Sequence, residues 1–162
     1  IVAILAGTDY GTIGDRSPAF VIWLLIGSLL VGLGEELMFR GILVAGLRMR
    51  GAKESRVALW SSLLFGAAHT MNWFIDGGGH VAQVFLTIYM GWFLYLTRRA
   101  TRGIIVPILL HGLWDFGLFT GLVDKDMYAG AIVFVVVQVA LIVLVIARRK
   151  RIEPVTATPL SS

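Results

Sequence analysis

Long runs of apolar residues, separated by short polar connectors, dominate the pattern of this chain. A helix needs about 20 predominantly apolar residues to cross the hydrocarbon core of a bilayer. The first apolar run, at about 18–47, is long enough to cross at a tilt or to continue past the interface. The third run, at 81–96, is the shortest, with 16 residues. The pattern predicts an all-α polytopic transmembrane helix bundle with five full spans, at about 18–47, 57–75, 81–96, 104–123 and 127–147.

The two ends of the chain differ from these runs. The opening residues IVAILAG are interpreted as the remnant of an earlier N-terminal span, although a clipped signal sequence would look similar. The closing residues EPVTATPLSS predict a disordered cytoplasmic tail. We therefore expect a single transmembrane domain over 1–152, with a motif-bearing core at about 18–123, followed by a tail at 153–162.

Composition strengthens the membrane assignment. Hydrophobic residues make up 57% of the chain and charged residues only 15%, with a mean hydropathy of +0.84. A soluble domain carries about 25% charged residues. The chain has no cysteine, which excludes disulfides, thiolate zinc sites and a cysteine nucleophile.

The basic residues fall in alternate connectors. Eleven of the fourteen follow the first, third and fifth runs, and the intervening connectors hold only Lys125. The positive-inside rule requires this alternation of five consecutive crossings, with the C-terminus cytoplasmic. The pI near 9.9 therefore needs no nucleic-acid partner, and these residues are expected to meet the lipid bilayer. The eleven are Arg48, Arg50, Lys53, Arg56, Arg98, Arg99, Arg102, Arg148, Arg149, Lys150 and Arg151.

Ionisable side chains also occur inside three of the apolar runs. At 1.5 Å per residue they lie about 10–18 Å from the basic ends of their spans, so their depths overlap and favour one shared site. Unpaired at membrane depth, two Glu, one Arg and one Asp would cost on the order of 10 kcal/mol. These residues are Glu35, Glu36 and Arg40 in the first run, His69 in the second, and His111 and Asp115 in the fourth.

Spacing sorts several of these residues into pairs. Glu36 and Arg40 are four residues apart, so they share a helix face and can form an ion pair. His111 and Asp115 have the same spacing. Glu35 is rotated by about 100° from Glu36 and has no oppositely charged neighbour on its own face. The Glu36–Arg40 pair is equally compatible with a structural brace, whereas Glu35 is the hardest residue to explain structurally.

Three short motifs carry these residues. EELMFR at 35–40 fits EExxxR, FGAAH at 65–69 fits FxxxH, and HGLWD at 111–115 fits HxxxN, except that Asp115 stands where Asn is usual. Together they resemble the motifs of the CPBP family of intramembrane endopeptidases, which includes CAAX-prenyl proteases of the Rce1 type and bacterial Abi-type proteins. Their order and their placement on three separate spans make the combination fairly specific.

The resemblance implies a hydrolase of the glutamic-peptidase type that performs intramembrane proteolysis without a cofactor. The implied substrate is a peptide or protein in or at the membrane, lipidated or otherwise membrane-associated. The implied location is a bacterial plasma membrane. The implied roles are general base for Glu35 with His69, oxyanion stabilisation for His111 and Asp115, and structural support for Glu36 and Arg40.

Two other classes of function stay open. Glu and His are good zinc ligands, so a metal-dependent intramembrane protease is one alternative, although the chain has no HExxH motif. A catalytically silent membrane protein of the bacteriocin-immunity type is the other. Asp115 itself could act as a neutral acid, as the counter-charge of a cationic His111, or as a metal ligand. We favour the second role, because the His111–Asp115 pair is then neutral overall.

Overall fold

The architecture is helical throughout the described part of the chain. A computed structural model describes residues 1–70 and 81–122, and every regular element within these ranges is a helix. The predicted all-α class is therefore confirmed for these residues. In chain order the elements are α1 (Val2–Gly7), α2 (Tyr10–Asp15), α3 (Pro18–Glu36), π1 (Leu37–Leu43, a π-helix), α4 (Val44–Met49), α5 (Glu54–Ala68), α6 (Val81–Thr101) and α7 (Ile105–Leu122).

The predicted first span is one continuous helix, Pro18–Met49, formed by α3, π1 and α4. It begins at Ser17, whose hydroxyl accepts a hydrogen bond from the Phe20 amide at 3.3 Å, and proline occupies the first helical position, where its missing N–H costs nothing. The turn after it contains Gly51 at a φ of 72°, a left-handed conformation that favours glycine. With a mean hydropathy of 1.8, Pro18–Met49 is the one helix among the described residues that is long and apolar enough to cross a membrane.

Three further helices coincide with the next predicted spans, with shifted ends. Helix α5 begins three residues before the predicted 57–75, and α6 continues five residues past the predicted 81–96. Helix α7 matches the predicted 104–123 to within one residue at each end. Helix α5 ends at Ala68, seven residues before the predicted end of the second span. Residues 71–75, the fifth span at 127–147 and the tail at 153–162 lie outside the described residues. The count of five crossings therefore stays a prediction.

Two short helices precede the long one and contact α7. A Cβ on Gly117 would lie 3.3 Å from the Ile4 carbonyl oxygen, so α1 approaches α7 closely. The Asp9 amide, at the start of α2, donates a hydrogen bond to the Thr120 hydroxyl at 2.8 Å. These contacts attach the N-terminal residues to the bundle. Their interpretation as the remnant of an earlier span stays a prediction.

The long helices pack in two pairs through glycine. Between α3 and α7, a Cβ on Gly32 would lie 2.7 Å from the backbone nitrogen of Gly112, and a Cβ on Gly112 would lie 2.7 Å from the Cα of Leu29. Between α5 and α6, a Cβ on Gly91 would lie 3.1 Å from the Cα of Ser62. Small residues let backbones approach closely, which is a common way for helices to associate in a bilayer. The close approach brings side chains near these glycines within reach of the facing helix.

The described part of the chain has a small buried apolar core, but it also buries ionisable residues and exposes many large apolar ones. Glu36, Arg40 and His111 are buried, whereas large apolar side chains such as Phe85 and Trp92 are exposed on the outer faces. Charged residues are almost never fully buried in soluble proteins unless they are paired, and a broad apolar outer surface is what hydrocarbon solvates. The distribution is typical of a bundle whose outer surface meets lipid.

Candidate active site

The six ionisable residues predicted from the sequence meet in one place between the helices. They come from three parts of the chain that are far apart in sequence, and each contacts at least one other member within 4 Å. We call this group the buried cluster. It consists of Glu35 and Glu36 at the end of α3, Arg40 in π1, His69 directly after α5, and His111 and Asp115 in α7.

One carboxylate oxygen of Glu36 is the centre of the cluster. Its Oε1 accepts a hydrogen bond from Arg40 Nη1 at 2.8 Å and another from His111 Nδ1 at 3.0 Å. The Glu36 and Arg40 side chains are both 0% exposed. Because an ionised carboxylate only accepts hydrogen bonds, His111 Nδ1 must be the donor. Glu36 therefore links π1 to α7 and fixes the orientation of the His111 ring.

The guanidinium of Arg40 is enclosed on several sides. Its Nη2 donates to the carbonyl oxygen of Gly91 in α6 at 3.0 Å, and its Cζ lies 4.2 Å from the centroid of the Phe65 ring. Its Nε has no hydrogen-bond partner in the described part of the chain. A cation above an aromatic face is stabilised by the quadrupole of the ring, more strongly when water is absent. Arg40 thus holds α6 and α5 against the helix that carries both glutamates.

The ring of Phe65 packs against both histidines of the cluster. Its centroid lies 4.8 Å from that of His69 and 5.6 Å from that of His111, and the Phe39 ring meets it edge-on at 5.2 Å. Phe65 is 1% exposed. The first position of the FxxxH motif is therefore the packing partner that sets the separation of the two imidazoles. Neither this role of Phe65 nor the contribution of the Gly91 carbonyl was inferred from the sequence, because both depend on neighbours that are distant along the chain.

Glu35 faces the two histidines from the other side. Its Oε2 lies 3.9 Å from His69 Nε2 and 3.8 Å from His111 Nε2, beyond the range of a direct hydrogen bond. This oxygen is buried and has no hydrogen-bond partner among the described residues, although the side chain as a whole is 30% exposed. Polar atoms at such distances can both be reached by one water that lies to the side of the line joining them.

Backbone contacts determine the tautomer of His69. Its Nδ1 lies 2.9 Å from the carbonyl oxygen of Phe65, four residues earlier. A carbonyl only accepts, so Nδ1 carries the hydrogen and, in the neutral ring, Nε2 keeps its lone pair toward Glu35. A lone pair directed at the same point as a carboxylate oxygen is suited to accept or pass on a proton there.

His111 Nε2 is surrounded by acceptors. It lies 3.5 Å from Asp115 Oδ2 and 3.8 Å from Glu35 Oε2. With Nδ1 already donating to Glu36, a neutral ring would direct a lone pair at two carboxylate oxygens, which is repulsive. A proton on Nε2, or on one of the two carboxyl groups, removes the repulsion.

The buried cluster holds more acidic than basic side chains. Three carboxylates face one arginine, so the group carries two uncompensated negative charges when both histidines are neutral. Charges of the same sign repel strongly in a medium of low dielectric. Among residues 1–70 and 81–122, no group of three or more His, Cys, Asp or Glu side chains is arranged to hold a metal ion.

The π-helical segment π1 begins directly after the two glutamates. It covers Leu37–Leu43 and therefore includes Arg40. A π-helix bonds residue i to i+5 instead of i+4, which changes the direction in which successive side chains point, and such segments often occur at functional sites. The predicted i, i+4 pairing of Glu36 with Arg40 is present, whereas the change of helix type was not predicted.

The chain matches one known protein family. The family described as type II CAAX prenyl endopeptidase Rce1-like matches residues 17–117, which are 101 of the 162 residues and include all three motifs. No curated protein and no solved structure matches the chain. The resemblance inferred from the motifs is confirmed, and it is to a family of membrane proteases. The chain belongs to the Rce1-like family of type II CAAX prenyl endopeptidases.

Proposed function

We propose that the chain is an intramembrane endopeptidase that hydrolyses a peptide bond with a water molecule activated by Glu35 and His69. The observation that carries the proposal is the position of Glu35 Oε2, which is buried without a hydrogen-bond partner in the described part and lies 3.9 Å from His69 Nε2. A water between these two atoms would donate a hydrogen bond to each of them. Both lone pairs of its oxygen would then be free, and one of them could point toward a substrate.

Hydrolysis would proceed through a tetrahedral intermediate. The water oxygen forms a bond to the scissile carbonyl carbon as Glu35 takes a proton from the water, and the carbonyl π electrons move onto the oxygen as an oxyanion. When the intermediate collapses, the C–N bond breaks and the leaving nitrogen takes the proton back from Glu35. The products are a carboxylic acid and an amine, and the acid then passes its proton to the amine or to water. General-base catalysis of this kind contributes about 10²–10⁴-fold to the rate.

His111 is proposed to stabilise the oxyanion through Nε2. The ring can donate there only if Nε2 carries a proton, and Nδ1 already donates to Glu36 at 3.0 Å. His111 would therefore act as a cation, with Asp115 at 3.5 Å as its counter-charge. Preorganised donors directed at a developing oxyanion contribute about 3–4 kcal/mol in a dry site. Glu36 and Arg40 support the site by holding the His111 ring.

The proposal includes a location and a substrate class. The five predicted crossings form a single domain with its basic connectors and its C-terminus in the cytoplasm, in a bacterial plasma membrane. The substrate is a membrane-associated or lipidated protein or peptide. The family name supports a peptide bond near a lipidated C-terminus. No nucleic acid and no metal takes part in the proposed reaction.

The experiment compares two matched glutamate variants of the full chain, purified in detergent and tested on a peptide library with and without prenyl groups. Glu35→Gln keeps the size of the side chain but removes its basicity, so activity should fall about 10²–10⁴-fold with an unchanged melting temperature. Glu54→Gln removes the same charge from a solvent-exposed position and should keep activity within about twofold. Neither result should change when a chelator is added.

Other outcomes would contradict the proposal. Retention of activity in Glu35→Gln would remove Glu35 from the role of base. Loss of wild-type activity with chelator, restored by zinc, would favour the metal-dependent alternative. Cleavage of no peptide by wild-type protein, prenylated or not, would favour the non-catalytic alternative.

A further inference from the structure

Four arginines line a recess at the end of the bundle where α4 and α6 end. The recess has a volume of about 320 Å³. Arg48 reaches it from the last turn of α4, Arg98 and Arg99 from the last turn of α6, and Arg102 from the connector to α7. We call this group the arginine recess. Arg48 follows Glu35 by 13 residues, or about 20 Å along the helix, so the recess is separate from the buried cluster.

One carboxylate, that of Glu54, forms ion pairs with two of these arginines. Glu54 accepts hydrogen bonds from Arg48 Nε, at 3.2 Å, and from Arg48 Nη2, and it lies 3.7 Å from Arg99 Nε. The Tyr95 hydroxyl donates to the same carboxylate. These bonds hold the fork of Arg48 in one orientation at the edge of the recess. Four guanidinium groups and one carboxylate leave a net charge of +3.

Among the described residues, neither Arg98 nor Arg102 forms an ion pair of this kind. No carboxylate within residues 1–70 and 81–122 lies at ion-pair distance from either of them. The Nε of Arg98 is buried and has no hydrogen-bond partner in these ranges. Burial and the like charge of Arg48 lower the pKa of Arg98. An anion in the recess would accept hydrogen bonds from the guanidinium groups that line it and reduce the repulsion between them.

We propose that the arginine recess binds a phosphate group, either the phosphodiester of an anionic phospholipid or free inorganic phosphate. Guanidinium forks match the tetrahedral oxygens of a phosphate and bind them in pairs. The recess lies at the end of the apolar helices, where lipid headgroups would meet the protein. This binding goes beyond the proposed peptidase function and does not depend on it.

The test uses the full chain in detergent and measures thermal unfolding with phosphatidylglycerol, phosphatidylcholine, or phosphate against chloride at equal ionic strength. Wild-type protein should be stabilised by phosphatidylglycerol and not by phosphatidylcholine. In the double variant Arg98→Gln with Arg102→Gln, the apparent affinity should fall about tenfold. The matched control, Arg50→Gln with Arg56→Gln, removes the same two charges from basic residues that do not line the recess, and its affinity should stay within about twofold.

Comparing phosphatidylglycerol with inorganic phosphate identifies the source of the bound phosphate group. Stabilisation by phosphatidylglycerol alone assigns the recess to a lipid, and equal stabilisation by phosphate assigns it to the free anion. Either result supports the site. Equal loss in both double variants would show that binding depends on overall charge and would overturn the proposal. So would the absence of stabilisation of wild-type protein by both probes.

A second double variant tests the proposal even if Arg98→Gln with Arg102→Gln fails to fold. Arg98→Lys with Arg102→Lys keeps both charges but loses the planar forks, so the apparent affinity should fall at least about threefold. An affinity equal to that of wild type would show that the forks do not bind the ligand and would overturn the proposed geometry.

Discussion

Two glutamate–arginine pairs in this protein have the same chemistry in opposite surroundings. Glu36 and Arg40, in the buried cluster, are both 0% exposed and 2.8 Å apart. Glu54 and Arg48, beside the arginine recess, are 36% and 38% exposed. The first pair has no access to water and depends on its partners for every interaction. The second pair is solvated and can exchange its partners for water at little cost.

The two pairs differ in how much each contributes to the free energy of unfolding. Removing one member of a buried pair leaves an uncompensated charge in a medium of low dielectric, which costs about 3–5 kcal/mol. Removing one member of an exposed pair costs about 0–1 kcal/mol, because water and salt screen the charge that remains. The buried pair is therefore a structural requirement of the site, whereas the exposed pair orients the edge of the recess.

The largest expected effect is that of Glu36→Gln. It leaves Arg40 without its anion, so the free energy of unfolding should fall by about 3–5 kcal/mol. The melting temperature should fall by about 10 °C for a chain of this length. Glu54→Gln is the matched control and should lower the melting temperature by at most about 3 °C. Thermal unfolding of both variants measures the contrast, and equal shifts would contradict it.

A second prediction tests how far the buried cluster depends on close helix packing. A Cβ on Gly112 would lie 2.7 Å from the Cα of Leu29, so Gly112→Ala should push α3 from α7 and cost about 1–3 kcal/mol. Gly46→Ala, in α4, meets nothing within 4 Å and should stabilise the helix by about 0.5–1 kcal/mol. Unfolding measurements give both values. A lower free energy of unfolding in both variants, or a higher one in both, would contradict the packing argument.

The third prediction concerns the charge state within the buried cluster. Asp115→Asn removes the proposed counter-charge of His111, so peptidase activity should fall about tenfold at neutral pH. A pH–rate profile beside wild type, each with and without chelator, checks this. An unchanged or higher rate in the variant would instead favour a protonated Asp115 that donates as a neutral acid.

The smallest expected effect is a pH dependence at the exposed pair. Hydrogen bonds from Arg48, and then from Tyr95, lower the pKa of Glu54 from 4.5 to about 2. A lowered pKa means that the ionised group stabilises the fold above about pH 4.5, and that this contribution is lost as the pH falls toward 2. Because Glu54 is partly exposed, the contribution is below about 1 kcal/mol. Glu54→Gln should therefore flatten the stability profile of the wild type between these two pH values.

Much of the helical architecture follows from local sequence. Apolar runs of about the right length predict helices because each residue must satisfy its own backbone hydrogen bonds in hydrocarbon. Helix α7 consequently matches its predicted span to within one residue at each end. The ends of α5 and α6 were predicted less well, because charged and polar residues such as Glu54 and Arg98 continue a helix past the apolar run.

The candidate site was predicted in its residues but not in its contacts. The i, i+4 spacing of Glu36 with Arg40 and of His111 with Asp115 is local, and both pairs are present in the structure. The π-helix at Leu37–Leu43 was not predicted, since its stability depends on neighbouring helices as well as on its own residues. The enclosure of Arg40 by Phe65 and by the Gly91 carbonyl was missed for the same reason.

The helices, the three motifs and the family could be predicted from the amino-acid sequence, because apolar length, residue spacing and motif order are properties of neighbouring positions. The packing of the helices was needed to show that Glu36 is shared by Arg40 and His111, and that Glu35 faces both imidazoles. It also brought Arg48 to the same recess as Arg98 and Arg102. These contacts join residues far apart along the chain, and the distances between them depend on how closely the glycine-lined helices pack.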